Sequence, residues 1–167
     1  MNTSGPNRAC FGKYRGVVSD NKDPEMRGRI KAQVPDVFGD KESTWAMPCA
    51  PYAGDDVGLY LIPPKNASVW IEFEQGDPNC PIWTGCFWAQ TEVPAKPAMP
   101  ETKMLKTGSA TITIKDQAGS GSVTLEVNKT VKIVMDSKGI EITNGQGASI
   151  KLSGASVKIN EQALEVT

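Results

Sequence analysis

The sequence contains no histidine, and that absence removes the commonest general base and the commonest metal ligand together. Serine and cysteine nucleophiles lack their usual activator, and no nucleophile elbow or ligand cluster takes its place. The four cysteines, Cys10, Cys49, Cys80 and Cys86, form no CxxC pair and have no histidine to complete a zinc site. Reduced thiols are the expectation. Charge of one sign is also missing: 18 Lys and Arg stand against 19 Asp and Glu, a formal net charge of −1. Without a basic surplus, nucleic acid is not an expected partner. No apolar run is long enough to span a bilayer and no signal-peptide pattern opens the chain, so synthesis and assembly in the cytoplasm are expected. Glu72 and Glu74, at strand spacing, and Asp55 and Asp56, in a turn, have ordinary surface roles. No catalytic residue, metal site or cofactor is assigned, and an enzyme is not expected.

The aromatic residues are unevenly spread. Trp45, Trp70, Trp83 and Trp88 and all four cysteines precede residue 90, whereas nothing aromatic follows Thr107. A packed unit followed by an aromatic-free one is the simplest reading. The divisions expected are an N-terminal segment, 1–10; a globular domain, 11–88; a stiff linker, 89–106, carrying Pro94, Pro97 and Pro100; and a C-terminal repeat, 107–167.

What the repeat does contain is alternation. Ala110, Ile112 and Ile114, then Val123, Leu125 and Val127, Val131 and Ile133, Ile140 and Ile142, Ile150 and Leu152, Val157 and Ile159, and finally Leu164 and Val166 follow the period of a half-buried strand. No amphipathic helix is present to cover the apolar face. Units of this kind cannot bury their face singly and must stack, within a chain or between chains. Gly108, Gly119, Gly121, Gly139, Gly145, Gly147 and Gly154 are expected at the corners. If three chains wind about one axis, the apolar residues fill its interior; a single-chain β-helix is the alternative.

The first half reads as a five-stranded Greek-key barrel of the OB type, with turn signals every eight to twelve residues or so. Strands are expected at 11–18, 27–34, 45–49, 67–73 and 81–88, with 57–62 as a short strand or crossing segment. Lys13, Arg15, Arg27, Arg29 and Lys31 fall on two adjacent expected strands, with Glu25 and Asp36 nearby. They form either a solvated face or a docking surface. Trp70, Trp83 and Trp88 are read as core or interface, with a ligand-stacking face as the rival.

The run GKYRGVVSDNKDPEMRGRIKAQVPD, then WAMPCAPYAG, then VWIEFEQGDPNCPIWTG resembles the OB domain of phage baseplate spike proteins. That family includes the baseplate assembly protein V group and the valine-glycine repeat spike of type VI secretion. The resemblance rests on Gly16, Val17, Asp20, Gly28, Arg29, Pro35, Trp45, Pro51, Gly54, Phe73, Glu74, Gly76, Asp77, Pro81 and Gly85. The tail segments TITIKDQAGSGSVTLEV and KIVMDSKGIEIT look like the intertwined triple-stranded β-helix that follows it.

The resemblance implies an all-β homotrimer acting as the central spike of a contractile tail or injection system, without enzymatic activity. Its expected partners are a baseplate hub on the OB domain, contacted by Arg15, Arg27 and Arg29; a small cap protein at the C-terminal end, on Leu164 and Val166; and the target cell envelope. Its expected place is the virion tail baseplate or an injection particle. An oligosaccharide- or oligonucleotide-binding OB module on a trimerising stalk is the alternative function.

Overall fold

The computed structural model describes residues 9–161 and 163–166, the last two by their backbone, so the expected N-terminal segment falls largely outside the described residues. The chain divides into two compact units, Met1–Thr91 and Glu92–Thr167.

Strand β1, Tyr14–Asp20, buries Gly16 and Val18 and exposes Arg15 and Val17 between them. β2, Lys31–Gln33, pairs with it antiparallel. Pro35 opens the single helical turn α1, Pro35–Phe38, where its fixed φ and missing N–H are tolerated. After it come β3, Met47–Pro48, and a miniature hairpin of β4, Ala53–Gly54, and β5, Val57–Gly58. β6, Ser68–Phe73, alternates strictly, with Val69, Ile71 and Phe73 buried, and β7, Pro81–Cys86, buries Pro81 and Trp83.

The sheet order is β2-β1-β6-β7-β3. Its two edges then meet: Ile30 and Ala46 exchange backbone hydrogen bonds of 3.2 and 2.7 Å, which curls the sheet closed and removes an open edge. Inside lie Val18, Ile30, Ala32, Val34, Ala46, Val69, Ile71, Phe73 and Trp83, none more than 8% exposed. Gly16 sits where β1 presses on this core. A Cβ there would lie 3.1 Å from Ile71 Cγ1 and 3.3 Å from the Gln33 carbonyl.

Of the expected barrel strands, 45–49 and 81–88 shorten to β3 and β7, and two others fall short for visible reasons. Residues 27–29 form no strand because the Asp23 carboxylate accepts the backbone N–H groups of Glu25, Arg27 and Arg29 at 3.0, 2.8 and 3.2 Å, diverting them from a ladder. Residues 59–62 form no strand. β5 ends at Gly58, and Leu59 donates its N–H to the Tyr52 carbonyl at 2.9 Å.

The second unit is one sheet: β8, Thr102–Lys106; β9, Ala110–Lys115; β10, Ser122–Val127; β11, Val131–Asp136; β12, Gly139–Thr143; β13, Ser149–Ser153; β14, Ser156–Ile159; and β15, Leu164–Val166. All eight pair antiparallel in unbroken sequence order. The expected intertwined helix sets strands of three chains side by side on each face of a prism; within this chain the turns are short enough for every strand to pair with its own neighbour. The sheet also starts earlier than the alternation suggests. Thr102–Lys106 lies within the expected linker, and its Leu105 stands opposite Ile112.

Corners divide between glycine and asparagine. Gly119, Gly139, Gly145, Gly147 and Gly154 have positive φ, as do the pairs Asn128–Lys129 and Asn160–Glu161, whereas Gly108 and Gly121 do not. At Gly139 the need is steric as well, because a Cβ would overlap the Leu152 carbonyl of the adjacent strand.

Candidate functional site: an uncovered apolar face and the barrel surface

Residues directly opposite in a sheet project from the same face, so the register of the C-terminal sheet sorts its side chains without ambiguity. One row runs Leu105, Ile112, Leu125, Ile133, Ile142, Ile150, Ile159, Leu164. A second runs Ile114, Val123, Met135, Ile140, Leu152, Val157, and the backbone register continues from Val157 to Val166. A third, shorter row joins Ala110, Val127 and Val131. All thirteen residues expected to form a trimer core (Ile112, Ile114, Val123, Leu125, Val127, Val131, Ile133, Ile140, Ile142, Ile150, Leu152, Val157 and Ile159) stand on this one face.

Opposite them lies a polar face, with Thr111, Glu126, Lys132, Thr143 and Ser149 in register. Lys132 and Glu126 pair there at 2.8 Å. The apolar face is uncovered: except for Val123 and Ile133, each of the thirteen is more than a third exposed, and Leu164 is 53% exposed. Eight strands of aligned aliphatic residues far exceed the patch a soluble monomer ordinarily shows to water.

Sequence reasoning missed two members of the face: Met135 follows Ile133 at the proper spacing but is masked by the adjacent Val134, and Leu105 is hidden between lysines. Ala110, which the alternation groups with Ile112 and Ile114, lies beside Val127. At the top of the second row Lys103 stands opposite Ile114 and is ion-paired with Asp116.

In the barrel the five basic residues do not form one positive face. Lys13 pairs with Glu72 at 2.8 Å, Lys31 with Glu42 at 2.7 Å and Arg27 with Glu25 at 3.3 Å. Arg29 is held by Asp23 at 2.6 Å and by Glu25 at 3.1 Å, with side chains 11% and 4% exposed in the Arg29–Asp23 pair. The Arg29 hydrogen bond holds the Asp23 carboxyl well below the usual carboxylate range, with the three backbone N–H groups assisting; Asp23 in turn raises the guanidinium. Arg27 and Arg29 thus belong to the turn before β2, and Arg29 has its donors committed inward.

Arg15 differs. It lies on β1 directly across from Trp70, exposed, with its guanidinium carbon 5.1 Å from the Trp70 ring and 4.8 Å from that of Phe87. The tryptophans likewise serve separate purposes. Trp83 is core, donating Nε1–H to the Gly28 carbonyl at 3.2 Å; Trp70 packs on Phe87; Trp88 is 64% exposed.

Among the described residues, no group of three or more Cys, Asp or Glu could hold a metal ion, and no helix is long and apolar enough to cross a membrane.

Residues 14–88 match the model of the type VI secretion system/phage-baseplate injector OB domain, and residues 102–165 match that of the phage baseplate V C-terminal trimerisation domain. The chain belongs to the phage baseplate V and VgrG-like spike family. Its barrel is the family's OB domain, and its eight-stranded sheet falls within the trimerisation domain. Among curated relatives, an actin cross-linking toxin VgrG1 of Vibrio cholerae serotype O1 is 27% identical over 156 residues, 85% of this chain and 14% of the relative. The type VI secretion system spike protein VgrG3 of the same species is 31% identical over 115 residues, 61% of this chain and 11% of the relative. The chain therefore spans only about a seventh of the length of these relatives or less.

Proposed function

We propose that this protein is the structural central spike of a contractile tail or contractile injection system, in which three chains bury the apolar face of the C-terminal sheet against one another to make a rigid, membrane-piercing needle. The observation that carries this reading is the uncovered face itself, three rows wide at its N-terminal end, in a chain whose sheet matches a trimerisation domain. Burying apolar surface is worth roughly 25 cal/mol per Å², and the thirteen core residues have no partner for it within their own sheet. Force transmission requires a stiff rod, and a dry interior with fully paired strands supplies one. The work is mechanical rather than catalytic.

Docking on a baseplate hub is assigned to the OB domain, with Arg15 as its contact on the barrel wall. Arg27 lies at its margin, and Arg29 acts through the turn it holds closed. Reversal of Arg15 is expected to weaken hub capture while leaving the barrel folded, whereas reversal of Arg29 is expected to unfold the 23–29 turn. Unchanged hub recovery with Arg15→Glu moves the interface off this wall. At the other end, β15 leaves an unpaired strand edge beside Leu164, and a small cap protein is assigned to it. Val166 belongs to the same assignment through its register with Val157; its side chain lies outside the described residues. Removal of 161–167 is expected to abolish cap recruitment, and recovery of stoichiometric cap with the shortened chain overturns the assignment. Assembly in the cytoplasm followed by residence in the tail baseplate or injection particle completes the reading.

A further inference from the structure

Of the five basic residues that the sequence places on adjacent barrel strands, four close on carboxylates: Lys13, Arg27, Arg29 and Lys31. Arg15 does not. Among the described residues its guanidinium has two aromatic rings beside it and no hydrogen bond or ion pair. The rings come from two further elements. Register sets Arg15 of β1 across from Trp70 of β6, and Phe87, just past β7, donates its backbone N–H to the Ser68 carbonyl at 3.1 Å, which brings it to Trp70. The two rings lie 4.7 Å apart, tilted by 42°, and both are half-buried. Within cation–π range of both, the arginine gives up rotamer freedom before any partner arrives. Its N–H edge stays in water. Val17, two residues along the same face of β1, is 41% exposed.

Resting on the hub assignment above, we infer that Arg15, held by Trp70 and Phe87, receives an Asp or Glu side chain of the protein docked on this wall, with an apolar neighbour of that acid covering Val17. A guanidinium packed on rings offers its edge, and the forked N–H groups of that edge match a planar carboxylate. Arginine set among aromatic side chains is also the composition on which interface binding energy concentrates. Nucleic acid fits the wall less well, because it needs a track of free cations and bare ring faces. Lys13, the next cation on β1, is taken by Glu72, and Trp70 is covered by Arg15 and Phe87. A sugar ring would need the same bare face. Trp70 and Phe87 are positioning residues: they aim Arg15 and leave the ionic contact to it.

The test uses the full-length chain in complex with the purified hub protein of the same tail or injection apparatus. Arg15→Lys puts an amine at the contact, and a water-soluble carbodiimide then joins it to any carboxylate it touches. One isopeptide bond from position 15 to a hub Asp or Glu is expected, and none with Arg15→Gln. Replacing that hub acid with Arg is expected to weaken the complex about tenfold, and combining it with Arg15→Glu to restore most of the loss, the behaviour of directly coupled residues. Trp70→Leu and Phe87→Leu are each expected to weaken it about fivefold and to flatten its salt dependence as Arg15→Gln does, while Trp70→Phe and Phe87→Tyr retain both; thermal melting checks that every barrel stays folded. Leucine losses that add in full to that of Arg15→Gln overturn the positioning role. If Arg15→Gln weakens the complex but position 15 couples to no hub acid, the carboxylate contact is wrong and hub docking on this wall stands. Unchanged affinity and salt dependence with Arg15→Gln overturn both. Binding of a fluorescent single-stranded oligonucleotide that is lost with Arg15→Gln would assign the wall to phosphate instead.

Discussion

Single residues carry two of the sharpest consequences. Asp23 organises the turn before β2 by accepting three backbone N–H groups and the Arg29 guanidinium. Because its folded pKa is depressed, the stability it contributes is fully present above the ordinary carboxylate pKa of about 4 and is lost as pH falls from there toward the folded value. Melting temperature followed from pH 6 down to pH 2 is expected to fall more steeply for the native barrel than for Asp23→Asn, which starts lower and has this part of the pH dependence removed. Parallel curves would exclude the carboxylate as the source. Gly139 is the second case. Its φ of +137° and the close approach of the Leu152 carbonyl leave no room for a methyl group, so Gly139→Ala is expected to cost about 1–3 kcal/mol per chain. Chemical denaturation of the trimer measures it. The same change at Gly108, where an added Cβ would meet no heavy atom within 4 Å and φ is not positive, is the control.

At the scale of elements, the C-terminal strands were the most legible part of the sequence, because a half-buried antiparallel strand writes its orientation into every second residue. The barrel was legible where it obeyed the same rule, as in β6, and illegible where side chains overruled the backbone. Nothing in a local window shows that Asp23 captures the N–H groups of three later residues, so 27–29 looked like strand. The basic residues were legible only in part for a related reason: Glu25 stands near Arg27 and Arg29 in the sequence, whereas pairs such as Lys13–Glu72 and Lys31–Glu42 span many residues and show only once the chain is folded. The orientation of the tail strands is itself testable. Ile133→Asp or Ile142→Asp puts a charge on the apolar face at a position met three times in the trimer, at an expected cost of several kcal/mol per chain. Loss of the trimer is expected by analytical ultracentrifugation. Lys132→Asp, on the polar face, breaks the half-exposed pair with Glu126 and sets two carboxylates opposite each other beside solvent, and is expected to cost about 1 kcal/mol with the trimer kept. Equal tolerance of both substitutions would contradict the facing assigned by register.

For the whole molecule the decisive quantity is copy number. The chain is expected to sediment at three times 17.9 kDa at micromolar concentration, and a monodisperse monomer would remove the basis for the needle. Composition alone had already indicated two kinds of construction in one chain, a packed aromatic core and an aliphatic ladder, since tryptophan appears only in the first. Composition did not indicate that Leu59, Tyr60 and Leu61 of the barrel stay exposed. They read as part of a short crossing strand, and only the turn-back at Leu59 leaves them facing solvent.

Strand length along the C-terminal sheet is five residues in β8, six in β9, β10 and β11, five in β12 and β13 and four in β14. At about 3.4 Å per residue, the side of the proposed three-sheet prism would narrow from roughly 20 Å at β9–β11 to roughly 14 Å at β14. Cross-section varies as the square of the side, so in such a needle a given axial thrust would bear at β14 on about half the area that it has at β9–β11. The pressure carried along the proposed rod would then about double over that length, by nothing more than the successive shortening of strands.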